Sequence, residues 1–225
     1  MSRSHAFVRD LTFQTQDLGK ETTIMLTFDA NIKGLYEESF PVVWKVSTFG
    51  ETGEYTTSFL ANCPYSVSVT YTNQLAFSKP QVVNESIVGA ETCVDINVGE
   101  KTSLTKTDDV FRFSTPEKGA TGFLQAMNNT GTTQDFAVGF ETPGELMPKP
   151  ALFFGGVGDG GHVTAQFTPI LRVYVTSDYQ ETAIIRGAID TPAIWKQNLA
   201  GLADSTTWNL NRDLVTGHYT ITQAP

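Results

Sequence analysis

The residues of this chain able to do chemistry are few and scattered: three histidines (His5, His162 and His218), two cysteines (Cys63 and Cys93) and the adjacent carboxylates Glu37-Glu38 and Asp108-Asp109. Zinc sites draw on closely spaced His and Cys ligands, and no such spacing occurs here. The histidines therefore read as unrelated side chains, and whether a metal is bound stays open. Neighbouring carboxylates on a strand point to opposite faces, and in a turn they are solvated charge. No Gly-x-Ser-x-Gly elbow occurs, and neither cysteine stands where its pKa would obviously fall. The expectation is a protein without catalytic residues.

The most unusual local composition is Gly155-Gly156-Val157-Gly158-Asp159-Gly160-Gly161-His162. A loop that cradles phosphate runs into a helix whose amide groups face the anion. Here the strand-like run 163–167 follows instead, so the stretch reads as a mobile loop between strands, where glycine takes positive φ cheaply. Asp159 and His162 lack a third ligand that would make them a metal site.

Aromatic side chains offer more. Trp44 lies in Pro41-Val42-Val43-Trp44-Lys45-Val46, Trp195 in a helix-like run, Trp208 near Asn209 and Asn211, and Tyr71, Tyr174 and Tyr219 in strands. A large aromatic in a strand is usually core. Those that line a cavity would hold a flat apolar ligand, with tyrosine hydroxyls or Lys45 orienting it. The candidate ligand-binding residues are thus Trp44, Lys45, Tyr71, Tyr174, Trp195, Trp208 and Tyr219.

The elements that would position them are strands. Residues 22–28, 66–71 and 217–222 alternate apolar and polar with period two, the pattern of strands with one wet face. Strands are expected near 22–29, 40–49, 55–61, 66–77, 86–98, 109–114, 122–127, 134–140, 151–154, 162–167, 170–176, 182–189 and 217–223. Turn signals such as Gly50-Glu51-Thr52-Gly53 and Asn128-Asn129-Thr130-Gly131 separate them. One short helix is expected over 191–200, with Thr191 as N-cap, Pro192 at the first helical position and Gly201 ending it. The fold class is all-β, an antiparallel β-sandwich or flattened barrel with one short helix. Residues 1–20 read as an N-terminal arm or edge segment and 21–225 as a single all-β domain.

Composition narrows the partners. The net charge of -9 and the scattering of the 15 Lys and Arg disfavour nucleic acid and anionic membranes. No signal-peptide core opens the chain and no eighteen apolar residues run together, so a cytoplasmic product is expected. The sequons at Asn84 and Asn128 then read as chance. Cys63 and Cys93 can pair if their strands lie side by side, and otherwise read as two buried thiols.

Phe40-Pro41-Val42-Val43-Trp44-Lys45-Val46, Tyr71-Thr72-Asn73-Gln74-Leu75-Ala76-Phe77-Ser78 and Gly139-Phe140 resemble segments of small leaderless proteins of mushroom fruiting bodies. Length, acidity and the two cysteines are similar to those of the pink chromoproteins of oyster mushrooms within that group. The resemblance implies a non-enzymatic carrier of an indolone-type pigment, held in an apolar pocket or at a dimer interface. A homodimer with the N-terminal arm reaching across fits that picture. The competing expectation is a defence lectin or pore-former that grips sugars or lipid through loops such as 204–213. A third is an enzyme with a dispersed active site.

Overall fold

The computed structural model describes residues 7–28, 36–51, 66–142 and 144–225. Along the chain run β1 (Val8–Gln14), β2 (Thr22–Phe28), β3 (Ser39–Pro41), β4 (Val43–Phe49), β5 (Ser66–Thr72), β6 (Leu75–Val83), β7 (Ser86–Ile96), β8 (Glu100–Thr107) and β9 (Val110–Phe113). They are followed by β10 (Glu117–Lys118), β11 (Leu124–Asn129), β12 (Gln134–Phe140), β13 (Lys149–Val157), β14 (His162–Ala165), β15 (Ile170–Val175), β16 (Trp195–Asn198), β17 (Ser205–Arg212) and β18 (Tyr219–Gln223). The fold is all-β; among the described residues the sole helical turn is a 3-10 turn at Leu199–Gly201. No described helix is long and apolar enough to cross a membrane.

The strands form four sheets, packed as two sandwiches rather than a closed barrel. In the first, sheet β18-β17-β1-β5 faces sheet β16-β15-β2-β4. Leu11, Phe13, Val69 and Leu210 from one layer meet Ile24, Leu26, Leu171 and Val173 from the other. In the second, sheet β3-β13-β12-β6-β7 faces β10-β8-β11-β14, with β9 paired to β8. Phe77, Phe136, Val138 and Leu152 there meet Leu104, Leu124, Val163 and Ala165. Period-two burial marks β1 and β17, whose outer faces meet solvent, because the pleat sends alternate side chains to opposite faces. The wet face expected for 22–28 is instead covered: β2, β6, β12 and β13 are buried over runs of four or five residues, with Met25 packed against Tyr174 and Ile185.

The two cores join at an aromatic seam. Phe140 lies 4.6 Å from Phe28, 4.9 Å from Tyr71 and 4.8 Å from Phe167 between ring centroids. Leu75 and Phe167 pack against both cores. Behind the sheets, the run 178–194 covers apolar backs: Ile184 packs with Val42, Ala137 and Phe153, while its neighbour Ile185 packs with Met25, Val43 and Tyr174.

Several expectations are corrected. Residues 8–14, expected in an arm or edge segment, form an interior strand, parallel to β17 and antiparallel to β5. Leu11 and Phe13 are fully buried, which a loose arm could not achieve. Residues 191–200 hold no α-helix. Trp195 instead pairs with Val173 at the edge of its sheet, and burial from Trp195 to Asn198 alternates with period two rather than 3.6. The run 182–189 makes only isolated bridges at Ala183 and Ile184, because it crosses two sheets rather than joining one. Residues 66–77 divide at Asn73 into two strands belonging to different sandwiches. The supposed loop 204–213 is largely β17, whose Thr206, Trp208 and Leu210 point inward. The strand expected at 55–61 lies outside the described residues.

Candidate functional site

The aromatics nominated from the sequence mostly fill core. Trp44, Tyr71, Trp195 and Trp208 are buried in the first sandwich, and Tyr219 packs against the same core. Trp44 meets Phe28 at 5.0 Å and Trp195 meets both Phe13 and Trp208. The Trp208 indole N–H donates to Thr206 at 3.0 Å, and the Tyr219 hydroxyl shares a 2.9 Å hydrogen bond with Thr22. The buried Trp44 indole N–H finds no partner among the described residues. Burial pushes the Tyr71 hydroxyl far above its ordinary pKa, against the smaller opposing pull of Arg9. Tyr174 lies apart, on the back of the β15 sheet. Lys45 turns away from the core to Glu181, 3.0 Å distant. These seven do not converge on one cavity, and neither cleft described next is lined by any of them.

The larger cleft, about 650 Å³, opens in the second sandwich between β14 and the ends of β3 and β13. Phe154 and Val163 rise from the core, and the partly exposed Phe123 adds a second aromatic wall. Gly155, Gly156 and Gly161 present bare backbone, while Ser39, Thr164 and Gln166 supply neutral polar groups and the exposed Glu38 and His162 supply titratable ones. Among the described residues β14 pairs with β11 alone, at the edge of its sheet. The cleft therefore lies along its free side.

The glycine-rich stretch is a built wall rather than a mobile loop. The Gly156 N–H donates to Asp135 and the Gly131 N–H to Asp159, each at 2.8 Å. Fully buried Asn128 donates to the carbonyls of Thr132 and Val157 at 2.8 Å, and its Oδ1 accepts from the Thr130 hydroxyl at 2.8 Å. Gly156 and Gly160 hold φ of +68° and +73°, which glycine alone adopts without strain. A Cβ on Gly161 would stand 2.8 Å from the Gly158 carbonyl oxygen. Asp159 is thus tied into the turn. Among the described residues no three His, Cys, Asp or Glu side chains gather in a way that could hold a metal ion.

A second cleft of about 640 Å³ lies on the outer face of the β8-β11-β14 sheet, lined by Lys101, Ser103, Glu117, Gln125, Met127 and again His162, among others. His162 stands opposite Met127 and Thr164 opposite Gln125, so His162 links the two clefts. The sequence placed these residues in strands and turns but offered no signal that they meet.

One titratable cluster lies elsewhere, beside the seam. Glu141, just past β12, is pushed up to about 7, chiefly by a hydrogen bond with Asp95 that needs one of the two carboxyls protonated. Partial burial and the Asp95 charge act in the same direction. Cys93 is exposed and free, not buried as expected; Cys63 lies outside the described residues. Desolvation and then the charges of Asp95 and Glu141 raise the Cys93 thiol pKa, the reverse of what a nucleophile needs.

No protein-family model, curated protein or solved structure matches this chain.

Proposed function

We propose that this chain is a non-catalytic carrier that holds one flat heteroaromatic molecule of the indolone class in the cleft between β13 and β14. The observation that carries the reading is the lining of that cleft: two phenylalanine rings, valines and three glycines beside neutral hydrogen-bonding groups, with Glu38 and His162 its two titratable members. Its volume of about 650 Å³ suits a small conjugated guest. Bare glycine backbone admits a flat ring closely, and Phe123 and Phe154 offer stacking walls. Covering about 200 Å² of apolar guest surface is worth about 5 kcal/mol at about 25 cal/mol per Å². Thr164 and Gln166 would donate to a guest carbonyl and set its orientation. The likeness to fruiting-body chromoproteins supports the same class of guest, although the site lies away from the tryptophans first nominated for it.

Native mass spectrometry beside a visible spectrum, on protein purified from its natural source, tests this reading. A bound small molecule with visible absorption is expected, lost in a Thr164→Trp variant that fills the cleft yet melts at the parent temperature. A colourless preparation at the bare polypeptide mass would refute it.

A further inference from the structure

The outer face of the β18-β17-β1-β5 sheet belongs to neither cleft. Its composition differs from that of an ordinary solvated sheet. Ser68, Thr12 and Thr207 stand side by side across three strands, and the Thr12 and Ser68 hydroxyls share a 2.9 Å hydrogen bond. In the next row Ser66, Gln14, Asn209 and Thr222 span all four strands, with the Gln14 amide donating to Asn209 at 2.8 Å. Asn211 follows opposite Thr220 and donates to the Thr222 hydroxyl at 3.3 Å. On the other side Asp10 is flanked by Thr70, which donates to it at 2.7 Å, and Ser205.

In these rows every outward side chain but Asp10 is Ser, Thr, Asn or Gln; the apolar Val8, 39 % exposed on the same face, lies beyond them at the start of β1, opposite buried Thr72. Solvated surfaces usually mix in many charges. The outer face of the β8 sheet does so, with Lys101 paired to Glu117 at 3.2 Å. In a chain of net charge -9, a four-stranded face with one carboxylate is a local exception.

We infer that this face is a binding surface for a neutral, hydroxyl-rich carbohydrate polymer. A near-neutral face offers no attraction to phosphate backbones or anionic lipid headgroups. With no apolar side chain in these rows, it gives nothing to a lipid tail or to the apolar centre of a protein partner. Strand spacing makes it about 14 Å across and about 20 Å along, still well below the roughly 800 Å² per partner of a stable protein interface. What remains is a partner that exchanges hydrogen bonds at many points and tolerates weak single contacts. A polysaccharide surface does both: its hydroxyls donate and accept, as do those of serine, threonine and the amides. The cross-strand hydrogen bonds hold the side chains in place before contact, which lowers the ordering cost of binding. With no aromatic platform in the rows, free monosaccharides are held too weakly to retain, and repeated presentation on a polymer supplies the avidity.

The test is sedimentation of the full-length protein with insoluble chitin, cellulose and β-1,3-glucan particles, with thermal melts run alongside. Retention on at least one polymer is expected, resistant to moderate salt and to millimolar monosaccharide. It should fall at least fivefold in a Ser68→Lys/Thr222→Lys variant that melts normally, and persist in Thr105→Lys/Thr107→Lys, which adds the same two charges to the other sandwich. No retention on any polymer overturns the inference, as does equal loss in the Thr105/Thr107 control. Ice shaping without polysaccharide retention also overturns it. The Thr164→Trp variant should bind particles like the parent, so this face and the small-molecule cleft stand or fall separately.

Discussion

Trp195 of β16 and Trp208 of β17 meet edge to face, ring centroids 4.8 Å apart and planes inclined at 70°, across the gap between the facing sheets of the first sandwich. Phe13 approaches Trp195 at 5.7 Å from the same side as Trp208. The geometry is the one favoured by the aromatic quadrupole, and it joins a sheet edge to an interior strand.

Replacing either tryptophan by alanine should therefore destabilise the fold by about 3–5 kcal/mol. A double-mutant cycle should return a coupling of about 1 kcal/mol for the pair. Denaturant unfolding checks this, and occupancy of the β14 cleft by the proposed guest should change little in whatever fraction stays folded. Loss of ligand without loss of stability would show instead that the tryptophans touch the guest.

The Asp95–Glu141 pair predicts a pH dependence. Glu141 holds its proton more tightly folded than unfolded, so its contribution is fully present below its ordinary value of 4.5 and is lost as pH rises through about 7. Melting temperature should fall across that window, with this contribution levelling off above pH 8. Glu141→Gln, which keeps a hydrogen bond to Asp95 without the proton, should flatten the profile. Melts from pH 4 to 9 give the comparison.

Cys93 should react slowly despite its exposure. Its thiol is held protonated by desolvation and by two nearby carboxylates. Iodoacetamide labelling of Cys93, followed by peptide mass spectrometry at pH 7.5, should run slower than for a free model thiol. Asp95→Asn should accelerate it severalfold, since one source of negative charge is then gone.

Asn128 should prove the keystone of the larger cleft. Its buried amide satisfies two carbonyls on different segments. Asn128→Ala leaves both without that donor and should cost about 2–4 kcal/mol. Because Val157 belongs to the cleft wall, the same change should weaken retention of the proposed guest. Hydrogen exchange of residues 155–161, faster in the variant, is the direct readout. The burial also means that the sequon at Asn128 cannot accept a glycan in the folded chain, whereas Asn84 sits exposed in a hairpin turn at φ +48°.

Much of the architecture was legible in residue order. Period-two alternation marks β2, β5 and β18, and the turn chemistry around Gly131 marks the β11–β12 link, because pleat and turn geometry are local properties. Residues 8–14 and 205–212 carry the same alternation. It rests on only two large inward apolar residues in each, Leu11 and Phe13 in one and Trp208 and Leu210 in the other, and their parallel pairing is a contact between opposite ends of the chain. Periodicity reports that one side of a strand is buried but not which sheet covers it. Trp44, Trp195 and Trp208 were thus recognisable as important without being assignable to core or cavity. The β14 cleft exists because β3 pairs with β13 only from Ser39, opposite Phe154, while β13 runs on through its glycines to Val157, leaving a side that no described strand covers beneath an edge strand. The hydroxyl and amide face exists because registers across four strands bring short polar side chains into line. Local propensity and net charge were determined by the sequence alone; registers, edges and voids arise from long-range packing, and only the folded chain decides them.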